Sequence, residues 1–261
     1  MKLFVIALKS SACKVFPQHA RDTIECARRY SGVDCIGISD FNEPGWIDAT
    51  PYLEPLMATR NFSAVKPELD WMGHSLWRWF IMGEYVRRHN IAEPIFNCDW
   101  DMMIFQPLEP FLKSIGAFDA DFGICVAKDV NIGSKSAPYF VTNLDAIHYF
   151  CAIYSAQLHW WPEAMNKHCY SDMAWWSAID PISHYRYCDL SVEKDGQWFD
   201  MNIIIDGDRF EKLPNNCKRI EWKDGRPCFV KLVTGELIKA VVIHCFMGMK
   251  ERTGDLLSKA T

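Results

Sequence analysis

Two carboxylates lie where an apolar run ends in the segment EPIFNCDWDMMIFQPL, residues 93–108. Only Trp100 separates Asp99 from Asp101, and side chains at i and i+2 of an extended chain point to the same side. Both carboxylates can therefore approach one divalent cation, although a pair of solvated turn acids is the alternative. Hard oxygen ligands suit Mg²⁺ or Mn²⁺, which complete their shells with water and substrate phosphates. The spacing thus predicts a metal site.

The same D-x-D pattern occurs at Asp99/Asp101, Asp119/Asp121 and Asp206/Asp208. In open α/β sheets, ligands gather beyond the carboxyl ends of the strands. The second pair precedes the apolar run FGICVA, at the wrong end of a predicted strand. The third flanks a glycine after NIII, which is typical of a hairpin turn. The first pair alone has the position of a ligand site.

The elements before this segment indicate how the carboxylates are positioned. LFVIAL is typical of a buried strand, RDTIECARRY of a helix and DCIGISD of a second strand. This order predicts a parallel βαβ unit whose strand ends lie beside the end of the Asp99 strand. A further helix is predicted from Leu69 to His89, and an irregular connection from Asn42 to Pro67. The later segments alternate around D-G and T-G turns and predict hairpins. We therefore expect an α/β fold with a mixed, mostly parallel central sheet flanked by helices and with antiparallel C-terminal hairpins.

Composition excludes several classes of protein. The 261 residues carry a net charge of -5, which argues against nucleic acid as the main partner because phosphate backbones require a basic face. No apolar run reaches the ~20 residues of a membrane span, so a cytoplasmic protein is expected; a signal peptide at MKLFVIALKSSACK is the alternative. The 11 cysteines are odd in number and form no C-x-x-C pair, which predicts reduced thiols.

With its D-x-D motif at a strand end, the chain resembles a metal-dependent, nucleotide-sugar glycosyltransferase of the GT-A fold. The resemblance implies that Asp99 and Asp101 bind Mn²⁺ or Mg²⁺ and, through it, the diphosphate of a UDP-linked sugar donor. It also implies a hydroxyl acceptor on a glycan. Residues 1–261 would form one domain, with a nucleotide-binding half over 1–108. The acceptor half and a C-terminal metal and diphosphate segment would occupy 109–261.

The resemblance points to further donor contacts. In this family the end of the first strand contacts the nucleotide base, which implicates Ala7, Leu8 and Lys9 by position. Asp40 closes the second strand and can bind a ribose hydroxyl, or it is a turn residue before FNEPG. The helix before the D-x-D strand carries an arginine facing the donor, and LWRWFIMGEYV resembles that segment at Arg78. The alternative for this residue is a surface arginine.

In the acceptor half, HCYSDMAWWSAI places Asp172 before a helical apolar run. The resemblance implies a catalytic acid that contacts acceptor or sugar hydroxyls, and in an inverting member it would be the general base. A helix N-cap is the alternative. Aromatic faces in this half can pack on sugars, although each is more often a core residue; these are Trp160, Trp161, Trp175 and Trp176.

The run AVVIH delivers His244 at a strand end, with Lys250 six residues later. The glycogenin-like retaining group carries H-F-x-G-x-x-K there, which implies His244 as a metal ligand and Lys250 as a diphosphate ligand. The His-to-Lys spacing matches, while Gly248 falls one position later than in that pattern. Two other functions stay open: a carbohydrate-binding protein without catalysis, and a sugar nucleotidyltransferase, whose Gly-rich basic phosphate loop is absent here.

Overall fold

The computed structural model describes the residues 1–10, 13–58, 70–126, 136–160, 172–173, 176, 184–200, 202–204, 209–245 and 247–260. The predicted turn at Asp206 and Asp208 lies outside them, as do Trp161, Trp175 and the side chain of Trp160.

Strands and helices alternate through the first half of the chain, and short strands dominate the second. The strands are β1 (Lys2–Ala7), β2 (Asp34–Ser39), β3 (Ile47–Asp48), β4 (Ile95–Cys98), β5 (Met102–Ile104), β6 (Phe122–Ile124), β7 (Phe140–Val141), β8 (Tyr187–Asp189), β9 (Glu193–Lys194), β10 (Gln197–Phe199), β11 (Ile220–Lys223), β12 (Arg226–Val230) and β13 (Leu237–His244). The helices are α1 (Gln18–Tyr30), α2 (Thr50–Met57), α3 (Asp70–Arg88), α4 (Leu108–Ser114), α5 (Asp145–Trp160) and α6 (Thr253–Lys259). Segments of 3₁₀ helix lie at Ala117–Asp119 and Met247–Arg252.

The central sheet has seven strands in the order β3-β2-β1-β4-β7-β6-β8. β1 runs parallel to β2 on one side and to β4 on the other. β7 alone among these strands is antiparallel to both of its neighbours. The apolar sequence of β1 is buried because it lies in the middle of the sheet, and α1 packs Ile24 and Ala27 against it. The predicted βαβ unit and the mostly parallel central sheet flanked by helices are confirmed.

The C-terminal sheet has the order β11-β12-β13-β10-β9, with β5 paired to β13 as a sixth strand. The hairpins β9-β10 and β11-β12 turn at Asp195-Gly196 and Asp224-Gly225, where all four residues have positive φ between 50° and 69°. Two-residue turns of this kind favour the D-G dipeptide because glycine and aspartate tolerate that conformation. The predicted C-terminal hairpins are confirmed.

β5 belongs to a different sheet from β4, although only residues 99–101 separate the two strands. All three β5 side chains are buried, and the strand pairs antiparallel with β13. The described residues therefore form two sheets joined at the D-x-D segment, where the sequence suggested one mixed sheet. Apolar periodicity is the same for a strand in either sheet, so it does not reveal the partner.

In its described part, residues 42–58, the segment from Asn42 to Pro67 is not the irregular connection that its composition suggested, and its remaining residues lie outside the described ones. β3 extends the central sheet beside β2, and α2 follows it. Asp48 accepts hydrogen bonds from both the backbone and the hydroxyl of Thr50, at 3.0 and 2.8 Å, which fixes the start of the helix. Proline at position 51 is compatible with a first helical turn, because its missing N–H has no helical partner there.

The helices α3 and α5 pack together over the central sheet. A Cβ atom added to Gly83 would lie 3.2 Å from Ile147 Cγ2, so glycine permits this close approach. Trp176 is a core residue, since its ring lies 5.0 Å from Trp79 and 4.6 Å from Phe150 between centroids.

None of the described helices combines the length and apolar character needed to cross a membrane. The described cysteines are free thiols, as predicted.

Candidate metal centre and its surroundings

The pairing of β5 with β13 brings the D-x-D segment to the end of the last strand. Met102 lies opposite His244 in this ladder, and the backbone N–H of Cys245 donates to the carbonyl of Asp101 at 2.8 Å. The N–H of Met102 closes a turn on the carbonyl of Asp99 at 3.0 Å. Two carboxylates and an imidazole therefore meet at the carboxyl end of β4.

The three predicted ligands converge. One ligand atom each from Asp99, Asp101 and His244 lies within 4.8 Å of the others. His244 Nε2 is 3.2 Å from Asp101 Oδ1 and 3.6 Å from Asp99 Oδ2. Two ligands ~2.1 Å from a shared Mg²⁺ lie up to ~4.2 Å apart, so these separations suit one divalent cation after a small adjustment. The donor set of two carboxylate oxygens and an imidazole nitrogen is compatible with Mn²⁺.

In both Asp99 and Asp101, one carboxylate oxygen contacts a positively charged side chain and the other faces His244. Asp99 Oδ1 is bound by Arg78 Nη1, and Asp101 Oδ2 lies 2.8 Å from Lys250 Nζ. The remaining oxygens, Asp99 Oδ2 and Asp101 Oδ1, face His244. Burial alone would raise the pKa of Asp101, but the positive charges of His244 and Lys250 hold that pKa below its usual range. Asp101 is therefore an ionised ligand at neutral pH.

Arg78 links Asp99 to Asp172, so these three residues, each singled out in the sequence, lie together. Its Nε and Nη2 atoms both donate to Asp172 Oδ2, the former at 3.1 Å. Burial opposes the charge of Arg78, yet the carboxylates of Asp172 and Asp99 raise its pKa above the usual range. The guanidinium thus spans two acids as a fork, a geometry that lysine lacks.

Both oxygens of Asp172 are hydrogen-bonded in a side chain that is only 3% exposed. Besides Arg78, Oδ2 accepts from Trp79 Nε1 at 3.1 Å. Oδ1 accepts from the backbone N–H of the next residue, Met173, at 2.9 Å. Asp172 therefore holds Arg78 beside Asp99, one of the candidate metal ligands.

The ends of β1 and β2 lie next to each other, with Ala7 opposite Ser39. Ala7 and Leu8 are buried, so their side chains offer little exposed surface. The backbone N–H of Lys9 donates to Asp40 Oδ1 at 2.8 Å, which occupies one oxygen of that carboxylate. The Lys9 ammonium lies 5.5 Å from the centroid of the Phe41 ring.

Sequence reasoning missed Tyr139. Its hydroxyl lies 3.4 Å from Asp99 Oδ2 and 3.5 Å from His244 Nδ1. Burial, followed by the charge of Asp99, raises the pKa of this phenol well above its usual value, so it stays protonated. A tyrosine ahead of the short apolar run FV gives no signal of such a role, because aromatic residues are common near strands.

Cys98 and Asp121 both have structural partners. The thiol of Cys98 is buried on β4 in the apolar cluster beneath the carboxylates, and burial raises its pKa well above the usual value. Asp121, from the second D-x-D copy, accepts a backbone hydrogen bond from Arg186 at 2.9 Å and one from Asn143 Nδ2 at 3.1 Å. Asp121 therefore stabilises the edge of the central sheet, which agrees with the choice of Asp99 and Asp101 as the candidate ligand pair.

The arrangement has the charge pattern of a centre for a metal-bound phosphate ligand. Two carboxylates and an imidazole face one point, and two cations stand behind the carboxylates. Lys250 is the more accessible cation, with a side chain 32% exposed against 13% for Arg78.

No protein-family model matches the chain, and no curated protein matches it. Three solved structures that resemble it are glycosyltransferases. The galactosyltransferase LgtC in complex with donor and acceptor sugar analogs is 13% identical over 100% of this chain and 96% of its own, with a TM-score of 0.48. Mouse xyloside xylosyltransferase 1 in its apo form is 12% identical over 76% and 88%, with a TM-score of 0.45. A glycosyltransferase involved in glycosylation of the major capsid of PBCV-1 is 13% identical over 98% and 99%, with a TM-score of 0.42. At such identities and TM-scores a likeness carries no functional argument, which must come from the site itself.

Proposed function

We propose that the protein is a glycosyltransferase that moves a sugar from a UDP-sugar donor to a hydroxyl group of a glycan, with Mn²⁺ or Mg²⁺ bound at Asp99, Asp101 and His244. The observation that carries this proposal is the convergence of the three ligand atoms at the carboxyl end of β4, with Lys250 against the same carboxylate pair. A hard cation held by two protein carboxylates commonly completes its shell with substrate phosphates.

The bound cation would neutralise charge on the leaving nucleoside diphosphate. Lys250 adds a second positive charge, and its Nζ lies 5.7 Å from the Trp100 ring centroid. A fixed cation beside the negative charge that develops in the transition state lowers the activation free energy, which often raises the rate by ~10²-fold or more. We assign Lys250 this role.

The donor sugar would lie beside Arg78, on the side of Asp99 away from Lys250. Arg78 supplies N–H donors for sugar or phosphate oxygens, and Asp172 fixes its orientation through two hydrogen bonds. Because both Asp172 oxygens already have partners, we assign this acid to the positioning of Arg78 rather than to proton abstraction. Ala7, Leu8, Lys9 and Asp40 would border the base and ribose through the ends of β1 and β2.

A thermal-shift panel of nucleoside diphosphates with and without Mn²⁺ tests the donor site. UDP should raise the unfolding temperature only when the metal is present, since a ligand at ~100 times its dissociation constant adds ~2.7 kcal/mol to stability. Asp99→Asn should abolish this response, whereas Asp119→Asn, from the second D-x-D copy, should retain it. No response to any nucleotide under any metal would exclude the donor site.

A second assay separates transfer from binding alone. The release of UDP from UDP-sugars, measured with glycan acceptors, should depend on both Mn²⁺ and Lys250. Metal-dependent UDP binding without turnover of any donor would instead favour a carbohydrate-binding protein without catalysis. Release of pyrophosphate from UTP and a sugar phosphate would favour a sugar nucleotidyltransferase.

A further inference from the structure

Tyr139 contacts two of the three candidate metal ligands through one hydroxyl group. The Tyr139 oxygen is 3.4 Å from Asp99 Oδ2 and 3.5 Å from His244 Nδ1. Both contacts are long for hydrogen bonds and would shorten when the ligands draw together around a cation. The residue is buried, with 5% of its surface exposed, so bulk water does not compete for these positions.

The backbone holds Tyr139 firmly in place. Its carbonyl accepts the N–H of Asn97 at 2.7 Å, and its own N–H donates to the carbonyl of Gly123 at 2.9 Å. The residue is therefore fastened between β4 and β6, immediately before β7. Its ring lies 5.9 Å from Phe199 between centroids and meets the His244 ring nearly edge to face, at 86°. These contacts hold the Tyr139 hydroxyl beside Asp99 and His244.

The two ring nitrogens of His244 face different partners. Nε2 faces the carboxylates of Asp99 and Asp101, while Nδ1 faces Tyr139. A neutral imidazole that binds a metal through Nε2 carries its proton on Nδ1, and that proton needs an acceptor. The Tyr139 oxygen can accept it and give its own proton to Asp99. The result is an ordered chain of hydrogen bonds from His244 through Tyr139 to Asp99.

From this geometry we propose that Tyr139 is a positioning residue of the metal centre, which fixes the His244 tautomer that directs the Nε2 lone pair at the cation and orients Asp99 at the same time. This assignment rests on the proposed function, because it requires that the three ligands hold a divalent metal. Groups behind metal ligands commonly change metal affinity by ~10 to 100-fold when they are removed.

Titration calorimetry with MnCl₂ alone tests the assignment. Tyr139→Phe removes one oxygen and keeps the packed ring, and it should weaken Mn²⁺ binding by about tenfold or more. The matched control is Tyr52→Phe, which removes a tyrosine hydroxyl 3.1 Å from His89 Nε2, in contact with α3 and remote from the metal ligands. The control should bind Mn²⁺ as the wild-type protein does. Equal affinity for wild-type protein and a folded Tyr139→Phe variant would overturn the assignment, whereas no Mn²⁺ binding by the wild type would overturn the metal centre itself.

Histidine NMR tests the tautomer without any substitution. In protein with ¹⁵N-labelled histidine and saturating Mg²⁺, the His244 resonances should show a protonated Nδ1 and an unprotonated Nε2. A protonated Nε2 under those conditions would overturn the assignment even if Tyr139→Phe failed to fold. A purely structural role for Tyr139 would change stability and leave the tautomer and the Mn²⁺ affinity unaffected.

Discussion

Met102 and His244 stand directly opposite each other in the antiparallel pair of β5 and β13. This single register position determines that the imidazole lies beside the D-x-D carboxylates. A shift of one residue would turn His244 to the other face of its sheet, because side chains alternate along a strand. The metal centre therefore depends on an exact pairing between distant segments as well as on the identity of its ligands.

His244→Ala should weaken Mn²⁺ binding by tenfold or more, because it removes one of three protein ligands while Asp99 and Asp101 remain. Calorimetry with MnCl₂ measures the change. His184→Ala is the control, since His184 is exposed. Unchanged Mn²⁺ affinity in folded His244→Ala would show that the two carboxylates hold the metal without the imidazole.

Lys250→Ala should lower kcat for donor turnover by ~10²-fold, because it removes a cation that meets the leaving diphosphate. Steady-state release of UDP gives kcat, and Lys259→Ala, an exposed lysine on α6, is the matched control. A kcat equal to that of the control would leave Lys250 as an ion-pair partner of Asp101 alone.

Asp172→Asn should strongly reduce turnover while Mn²⁺-dependent UDP binding persists. The substitution preserves shape but removes the charge that draws the Arg78 fork into place. Turnover and UDP affinity, measured side by side, separate this outcome from a general loss of the fold. Asp145→Asn is the control, because Asp145 is an exposed acid at the start of α5. If Asp172→Asn transfers sugar at the wild-type rate, the acid only caps a helix.

Lys218 and Asp200 form an ion pair with no exposed side-chain surface on either residue. Lys218 Nζ also donates to the carbonyl of Asn202 at 2.8 Å. Lys218→Met should lower the free energy of unfolding by ~3 to 5 kcal/mol, because it leaves Asp200 charged and buried without its partner. The double variant Lys218→Met/Asp200→Asn should recover part of that loss. Urea unfolding measures both, and a loss below ~1 kcal/mol for the single variant would contradict the prediction.

Glu84 provides a test of acid stability away from the metal centre. Hydrogen bonds from Arg87, followed by those from Arg88, lower the pKa of this carboxyl from 4.5 to about 2 despite some burial. A depressed folded-state pKa stabilises the protein above the unfolded value and loses that effect as the pH falls from 4.5 toward 2. Glu84→Gln should therefore cost ~1 kcal/mol at pH 6.5, after allowance for the exposed arginines. The cost should shrink at pH 3, and a difference independent of pH would refute it.

The sequence predicted the parallel half of the fold well, because its signals are local. Strand, helix and strand follow one another in β1, α1 and β2, and a short connection leaves few topologies. The choice of Asp99 and Asp101 followed from their position after an apolar run, whereas the resemblance of the segment after AVVIH to H-F-x-G-x-x-K suggested His244. Such arguments need only the end of a strand and the sheet edge to which it delivers a side chain.

Local sequence patterns did not predict the contacts between segments that are distant along the chain. β5 is three residues long and entirely apolar, so its periodicity does not choose between the central and the C-terminal sheet. The contact of Asp172 with Arg78 depends on how the segment that carries Asp172 packs against α3, and the position of Tyr139 depends on the pairing of β7. In each case the deciding information is a tertiary contact, which local patterns do not encode.

Because β5 pairs with β13, the candidate metal centre can form only late in the synthesis of the chain. Asp99 and Asp101 leave the ribosome well before His244, so the third ligand and the strand that covers β5 arrive together. Until then β5 presents an apolar edge with unpaired backbone groups, which is a template for intermolecular strand pairing. A chain that stalls before β13 should therefore be a substrate for chaperones, and cation-dependent protection from proteolysis should appear only when synthesis has passed His244.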